Sequence, residues 1–244
     1  MVNSRLTLRL ATAILGILIC VSGVPAKESS EILRYVVTWN GAKAGHGDIT
    51  TKSNSRKVDV TVHAVSDGAL RKILEVWSRV KGSFSARSFR PRNYQFLLRS
   101  NLLRTEVVDL QFDHKSGHVT ICKQKGDEKE RHKEKLASYY DPVTAGCLLR
   151  SQRHFRKPMR VDIFDGKDKA RLFIRPAARG QLTVKGGSFP AVGLDVRLVK
   201  LTGDKKEIGK GRLWLSNDRY RIPLLLISSA LIGKVRFELV KVER

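Results

Sequence analysis

Cysteine, long apolar runs and acidic residues are all scarce in this chain, and each shortage excludes something. Only three cysteines occur in 244 residues, at 20, 122 and 147, and none forms a Cys-x-x-Cys pair. That removes the common zinc-ribbon and dithiol redox motifs. After residue 26 no apolar stretch approaches the roughly 20 residues of a membrane-spanning helix, so no transmembrane span is expected beyond the N-terminal segment. Glycine-rich phosphate loops are missing as well: Gly186-Gly187 and Gly209-Lys210-Gly211 sit between apolar alternations and read as turns or bulges. No Pro/Gly/Ser-rich linker interrupts the middle, which favours one domain over residues 27–244. Acids number 23 against 47 lysines and arginines, for a net charge of +24.

The one long apolar stretch lies at the N-terminus. Arg5 and Arg9 precede it, about a dozen apolar residues from Leu10 to Val21 form it, and small residues ending in Ala26 follow. This is the pattern of a secretory signal peptide over residues 1–26, with cleavage between Ala26 and Lys27. Ile19 before Cys20 argues against a lipid-modified cysteine. Removal of the segment takes away two positive charges and no negative one, so the charge falls only from +24 to +22.

So basic a surface concentrates anions. Outside the cytoplasm the anions on offer are phospholipid head groups, lipopolysaccharide phosphates and acidic polysaccharide. Nucleic acid suits the charge but not the export signal, and no glycine-and-aromatic RNA-binding motif accompanies it. The expected location is the periplasm, and a monomer is expected.

Period-two alternation dominates the rest. Leu33, Tyr35, Val37 and Trp39 share one strand face; Val108, Leu110 and Phe112 share another, as do Leu194, Val196 and Leu198, and Val235, Phe237 and Leu239. Turn residues such as Asn40-Gly41, Ser116-Gly117, Asp165-Gly166 and Asn217-Asp218 separate the runs. Short strands and turns at regular spacing predict an all-β protein with one or two short helices: a curved antiparallel sheet or half-open barrel, with a two-sheet sandwich as the alternative. A short helical turn fits residues 67–73. Asp141 at a cap and Pro142 at the first helical position predict a helix start there, packed on the concave face. The mixed-charge run between them, Lys123 to Tyr140, reads as an exposed loop or solvated helical turn. "IPLLLI", Ile222 to Ile227, is apolar on both strand faces, so it is covered on both sides or lines a cavity.

Four stretches carry a resemblance: Leu33–Thr50, Tyr139–Arg150, Val161–Ile174 and Gly211–Leu239. Together they resemble the DUF3108 family, exported bacterial proteins of unknown function. The most specific element is Trp214, Leu215, Ser216, Asp218, Arg221 and Pro223 in a Trp-Leu-Ser-x-Asp-x-x-Arg-x-Pro pattern. The C-terminal pattern is also similar to that of periplasmic lipoprotein carriers, whose half-open barrel surrounds a helix. The chain departs from the family in that helix, where Cys147-Leu148-Leu149 stands at a position often aromatic.

Candidate chemistry is sparse. Asp218 and Arg221 beside Trp214 suggest an anion site, although Asn217-Asp218 is already explained as a turn with Arg221 pairing to Asp218 on an edge strand. His114 and His118 lie across Ser116-Gly117, and no metal site is expected from them. Trp39, Trp77 and Trp214 either pack the core or grip an acyl chain or sugar ring. Cys122 and Cys147 are the candidate disulfide, which would staple the helix to the sheet and add roughly 3 kcal/mol. No nucleophile has a base beside it, and no local spacing supports the paired carboxylates of glycan hydrolysis. No cofactor is expected. The best expectation is a non-catalytic binding or carrier protein for an anionic, partly apolar envelope component, with ligand contacts at Trp39, Trp77, Trp214 and Arg221. An envelope-glycan hydrolase or transferase, and a structural protein docking by charge, are the alternatives.

Overall fold

The computed structural model of the chain describes residues 28–136, 138–203, 205–230 and 233–244. The expected signal peptide, its cleavage site at Ala26–Lys27, and Cys20 lie outside them. Eight strands come first: β1 (Ser29–Trp39), β2 (Ala42–Ser53), β3 (Lys57–Ser66), β4 (Val76–Ser85), β5 (Pro91–Ser100), β6 (Glu106–Asp113), β7 (His118–Lys125) and β8 (Glu128–Lys135). A short helix α1 (Gly68–Ile73) separates β3 from β4, and helix α2 (Pro142–Arg150) follows β8. Six more strands complete the chain: β9 (Met159–Phe164), β10 (Lys169–Val184), β11 (Gly187–Lys200), β12 (Glu207–Ser216), β13 (Pro223–Ala230) and β14 (Gly233–Glu243).

All fourteen belong to one antiparallel sheet, in the order β8-β7-β6-β5-β4-β3-β2-β1-β14-β13-β12-β11-β10-β9. Two meanders run in opposite directions and meet where β1 pairs with β14, Val37 opposite Phe237. A twisted sheet of this length must curl. It curls here as the half-open barrel that the strand alternation predicts, and not as a sandwich. The alternating apolar residues fill the concave side: Leu33, Ile49, Val62, Val80, Leu110, Ile121, Leu194, Leu213, Leu226 and Leu239 are all buried.

Helix α2 sits in that concavity, against β4 and β9. Asp141 caps it, accepting from Val143 N and Thr144 N, and Pro142 opens it without losing a bond. Eight of its nine residues are buried, as a helix enclosed by a curled sheet must be. The fit depends on a missing side chain: a Cβ at Gly82 on β4 would stand 2.5 Å from Val143 Cγ1. The strand order ends at β8 and β9, and between these ends Tyr140 pairs in parallel with Ile163. The β9–β10 turn leans on β6, where a Cβ at Gly166 would meet Val108 Cγ1 at 2.5 Å, and Lys169 forms an ion pair with Glu134 of β8.

Three expectations change. The charged run after Val119 is not a loop or helical turn: it forms the end of β7 and all of β8, paired from His118–Lys135 to Lys125–Glu128. Cys122 does not bridge to Cys147, because Cys122 is a free cysteine. Ile121 points into the core where the helix lies, so its neighbour Cys122 faces the other side of the sheet. Finally, Pro223 does not mark an edge, since β13 lies inside the sheet between β12 and β14. In "IPLLLI" the residues from Ile222 to Leu226 are buried on both faces, and Ile227 is half-buried. Leu226 joins the concave core, while Leu225 faces outward beside Glu238 and is still buried. Above it the β10–β11 hairpin folds back: Lys185 N donates to Glu238 Oε1 at 3.1 Å, and Gly186 N to Leu239 O at 2.9 Å.

Candidate functional site

The family-like pattern at the β12–β13 turn proves to be a clasp. Asp218 Oδ1 accepts from Ser216 Oγ at 2.7 Å, Tyr220 N at 2.9 Å and Arg221 N at 3.0 Å. Ser216 Oγ in turn accepts from Ile222 N at 2.7 Å. These bonds hold Arg221 at φ 49°, a left-handed backbone that costs a branched-at-Cβ-free residue about 1 kcal/mol. The side chain of Arg221 does not pair with Asp218. It donates to Ser216 O, Asn217 Oδ1 and Arg153 O, and its guanidinium lies 5.7 Å from the Phe155 ring centroid. Arg221 therefore ties the segment after α2 to the turn, and with its donors occupied it has little left for a ligand.

Beside the clasp is a buried charge cluster. Arg150 in the last turn of α2 donates twice to Glu31 Oε1 at 3.1 Å and once to Tyr220 O at 2.9 Å. Arg244 donates to the other oxygen, Glu31 Oε2, at 3.1 and 3.0 Å, and stacks 3.6 Å from the Tyr220 ring centroid. Glu31 and Arg150 are both almost fully buried. Burial pushes the Arg150 pKa down, and the neighbouring Glu31 opposes that. Tyr35, whose hydroxyl donates to Pro223 O at 2.8 Å, is pushed up by the same burial. The cluster joins the first strand, the helix and the chain's last residue, which makes it a structural lock.

The other predicted residues are dispersed. Trp39 ends β1 on the concave side, partly buried against the core. Trp77 lies on the outer face of β4, with Arg79 and Arg99 at 5.7 and 5.4 Å from its ring and His63 edge-on at 6.0 Å. Trp214 lies on the outer face of β12 over Gly193, where a Cβ would be 3.1 Å from its ring. His114 Nε2 and His118 Nδ1 each face a backbone carbonyl, Pro91 O and Ser116 O.

What the register does bring together is basic. On the outer face, Arg160 of β9 stands opposite Phe173 of β10, then come Arg197 of β11, Lys210 of β12, Ser229 of β13 and Lys234 of β14 in one row across six strands. Neighbouring strands are about 4.8 Å apart, so the row is about 24 Å long. A second row runs beside it: Arg175, Asp195, Arg212, Ile227 and Arg236. Arg160 and Arg197 cover the Phe173 ring at 5.5 and 5.3 Å. The sheet dips here into an open groove of about 730 Å³, lined also by Pro158, Met159 and Ile174. Six of its lining side chains are basic, and its one acid, Asp195, already faces Arg212 at 2.8 Å and Arg175 at 3.7 Å. By contrast the concave side, between Leu172, Leu198, Leu213 and Leu226, holds a pocket of about 20 Å³, no larger than a water. Sequence reasoning passed over the groove, although its trace is visible: Lys210-x-Arg212 of β12 and Lys234-x-Arg236 of β14 each repeat a cation on the polar face of a strand.

Comparison with known proteins places the fold. A β-barrel-like protein of domain of unknown function DUF1849 from Brucella abortus superposes with a TM-score of 0.58 at 12% identity, over 88% of this chain and 97% of that one. A protein from Bacteroides fragilis inferred to be exported, with a YmcC-like fold, gives 0.40 at 10% identity over 92% and 100%. A lipoprotein inferred in Parabacteroides distasonis gives 0.39 at 10% over 92% and 100%. Among curated proteins no match is found. The family described as protein of unknown function DUF3108 matches residues 34–240, from the first strand to the last, and the chain belongs to that family.

Proposed function

We propose that the protein is a non-catalytic, periplasmic binding protein for an anionic, partly apolar component of the cell envelope, acting as a monomer. The observation that carries this reading is the outer groove, in which a row of cations crosses an aromatic and aliphatic floor. Cations there give attraction and register with an anionic head, and Phe173, Met159 and Ile227 supply apolar contact for the part next to it. The N-terminal secretory pattern supports delivery to the compartment where such components are found. On this reading the ligand lies on the outside of the half-barrel, where the groove offers about 730 Å³ against about 20 Å³ for the concave pocket between Leu172, Leu198, Leu213 and Leu226.

Sedimentation with phosphatidylcholine vesicles, with and without about a third phosphatidylglycerol, tests the reading. Binding is expected only to the anionic vesicles, and weakened about tenfold in Arg160→Gln/Arg197→Gln/Lys210→Gln. Equal binding to both vesicle types, or a triple variant that binds like the parent, would refute it.

A further inference from the structure

Strand β8 sorts its charges by face. Glu128, Glu130, His132 and Glu134 alternate with Lys129, Arg131, Lys133 and Lys135, so a strand places all the acids on one side and all the cations on the other. The acids have partners: Glu128 with Arg104 at 3.3 Å, Glu130 with Lys123 at 3.9 Å and His132 at 2.9 Å, and Glu134 with Lys169. The four cations are exposed and make no ion pair among the described residues. Across the ladder they face Gln124, Cys122, Thr120 and His118, none of them an acid. At about 6.8 Å per alternate residue, they form a comb about 20 Å long on the free edge of the sheet.

Protection of an edge strand against pairing needs charge of either sign. It does not explain why one sign is neutralised internally and the other left bare. We propose that β8 is a docking strip for a linear polyanion, an acidic polysaccharide carrying a regularly repeated anionic group. A flat anionic bilayer fits less well, because the strip is one strand wide. Two strands inward, Asp109 and Asp113 face the same side, and a bilayer plane would bring them against like charge. The strip lies at the other end of the strand order from the groove and stands independently of it.

Polygalacturonate is the probe, with binding to the purified protein followed by fluorescence anisotropy of end-labelled polymer at several salt concentrations. Lys129→Gln/Arg131→Gln/Lys133→Gln/Lys135→Gln is expected to bind about tenfold or more weakly, with a shallower salt dependence. Its thermal midpoint should stay within about 2 °C of the parent, since the replaced side chains are exposed. Glu128→Gln/Glu130→Gln, on the opposite side of the same strand, should bind at least as tightly as the parent. A quadruple variant that retains parental affinity would overturn the proposal. So would phosphatidylglycerol vesicles bound more tightly than the polymer with the same dependence on these four residues, which would make the strip a membrane contact.

Discussion

Asp141 makes the stability of this protein depend on pH in an unusual direction. Burial raises its carboxyl pKa to about 6, against hydrogen bonds from Thr144 and Val143 that favour the ionised form. In the unfolded chain it titrates near the ordinary 3.8. Between those values the native state holds a proton that the unfolded state has released, so stability falls as pH rises. The contribution is fully present below about 4, and lost as pH passes 6. A difference of about two units at about 1.4 kcal/mol each amounts to about 3 kcal/mol. Asp141→Asn cannot titrate yet still caps the helix, because asparagine is as good a capping residue. Urea denaturation at half-unit steps from pH 4.5 to 7.5 should therefore show the parent losing about 2–3 kcal/mol relative to the Asn variant. Parallel profiles for the two proteins, or a parent that gains on the variant with rising pH, would refute the reasoning. They would mean that the three donors at the helix N-terminus outweigh burial.

Further substitutions probe the packing and the lock. Gly82→Ala should destabilise by about 1–3 kcal/mol through its clash with Val143, and Val143→Ala in the same chain should recover part of it, both read from denaturation midpoints. Arg150→Met leaves buried Glu31 with Arg244 alone and should cost about 3–5 kcal/mol, whereas Glu31→Gln/Arg150→Met together should cost less than Arg150→Met alone, because the half-paired buried carboxylate is then gone. Cys122→Ser should change stability by no more than about 0.5 kcal/mol and abolish iodoacetamide labelling at that position in the folded protein, since the thiol is free on the outer side of the sheet.

The period-two runs from Leu33, Val108, Leu194 and Val235 by themselves determined an antiparallel, curling all-β chain, because half-buried strands must alternate. Asp141-Pro142 likewise determined where α2 begins, since capping is a local bond between neighbours. Strand β8 was invisible to this reasoning: its alternation is between charges, and only pairing with β7 makes it a strand. Register also decided the side of the sheet on which Cys122 lies, and with it the absence of a bridge to Cys147. The contact of Glu31 with Arg150 and Arg244 spans 119 and 213 residues, beyond the reach of any local pattern. The outer groove was decided in the same way. Five of the six strands contribute one or two cations that taken singly are ordinary solvated residues, β13 contributing Ser229 and Ile227, and it is the hydrogen-bonded alignment of six strands that sets Arg160, Arg197, Lys210 and Lys234 in one row at the spacing of a sheet.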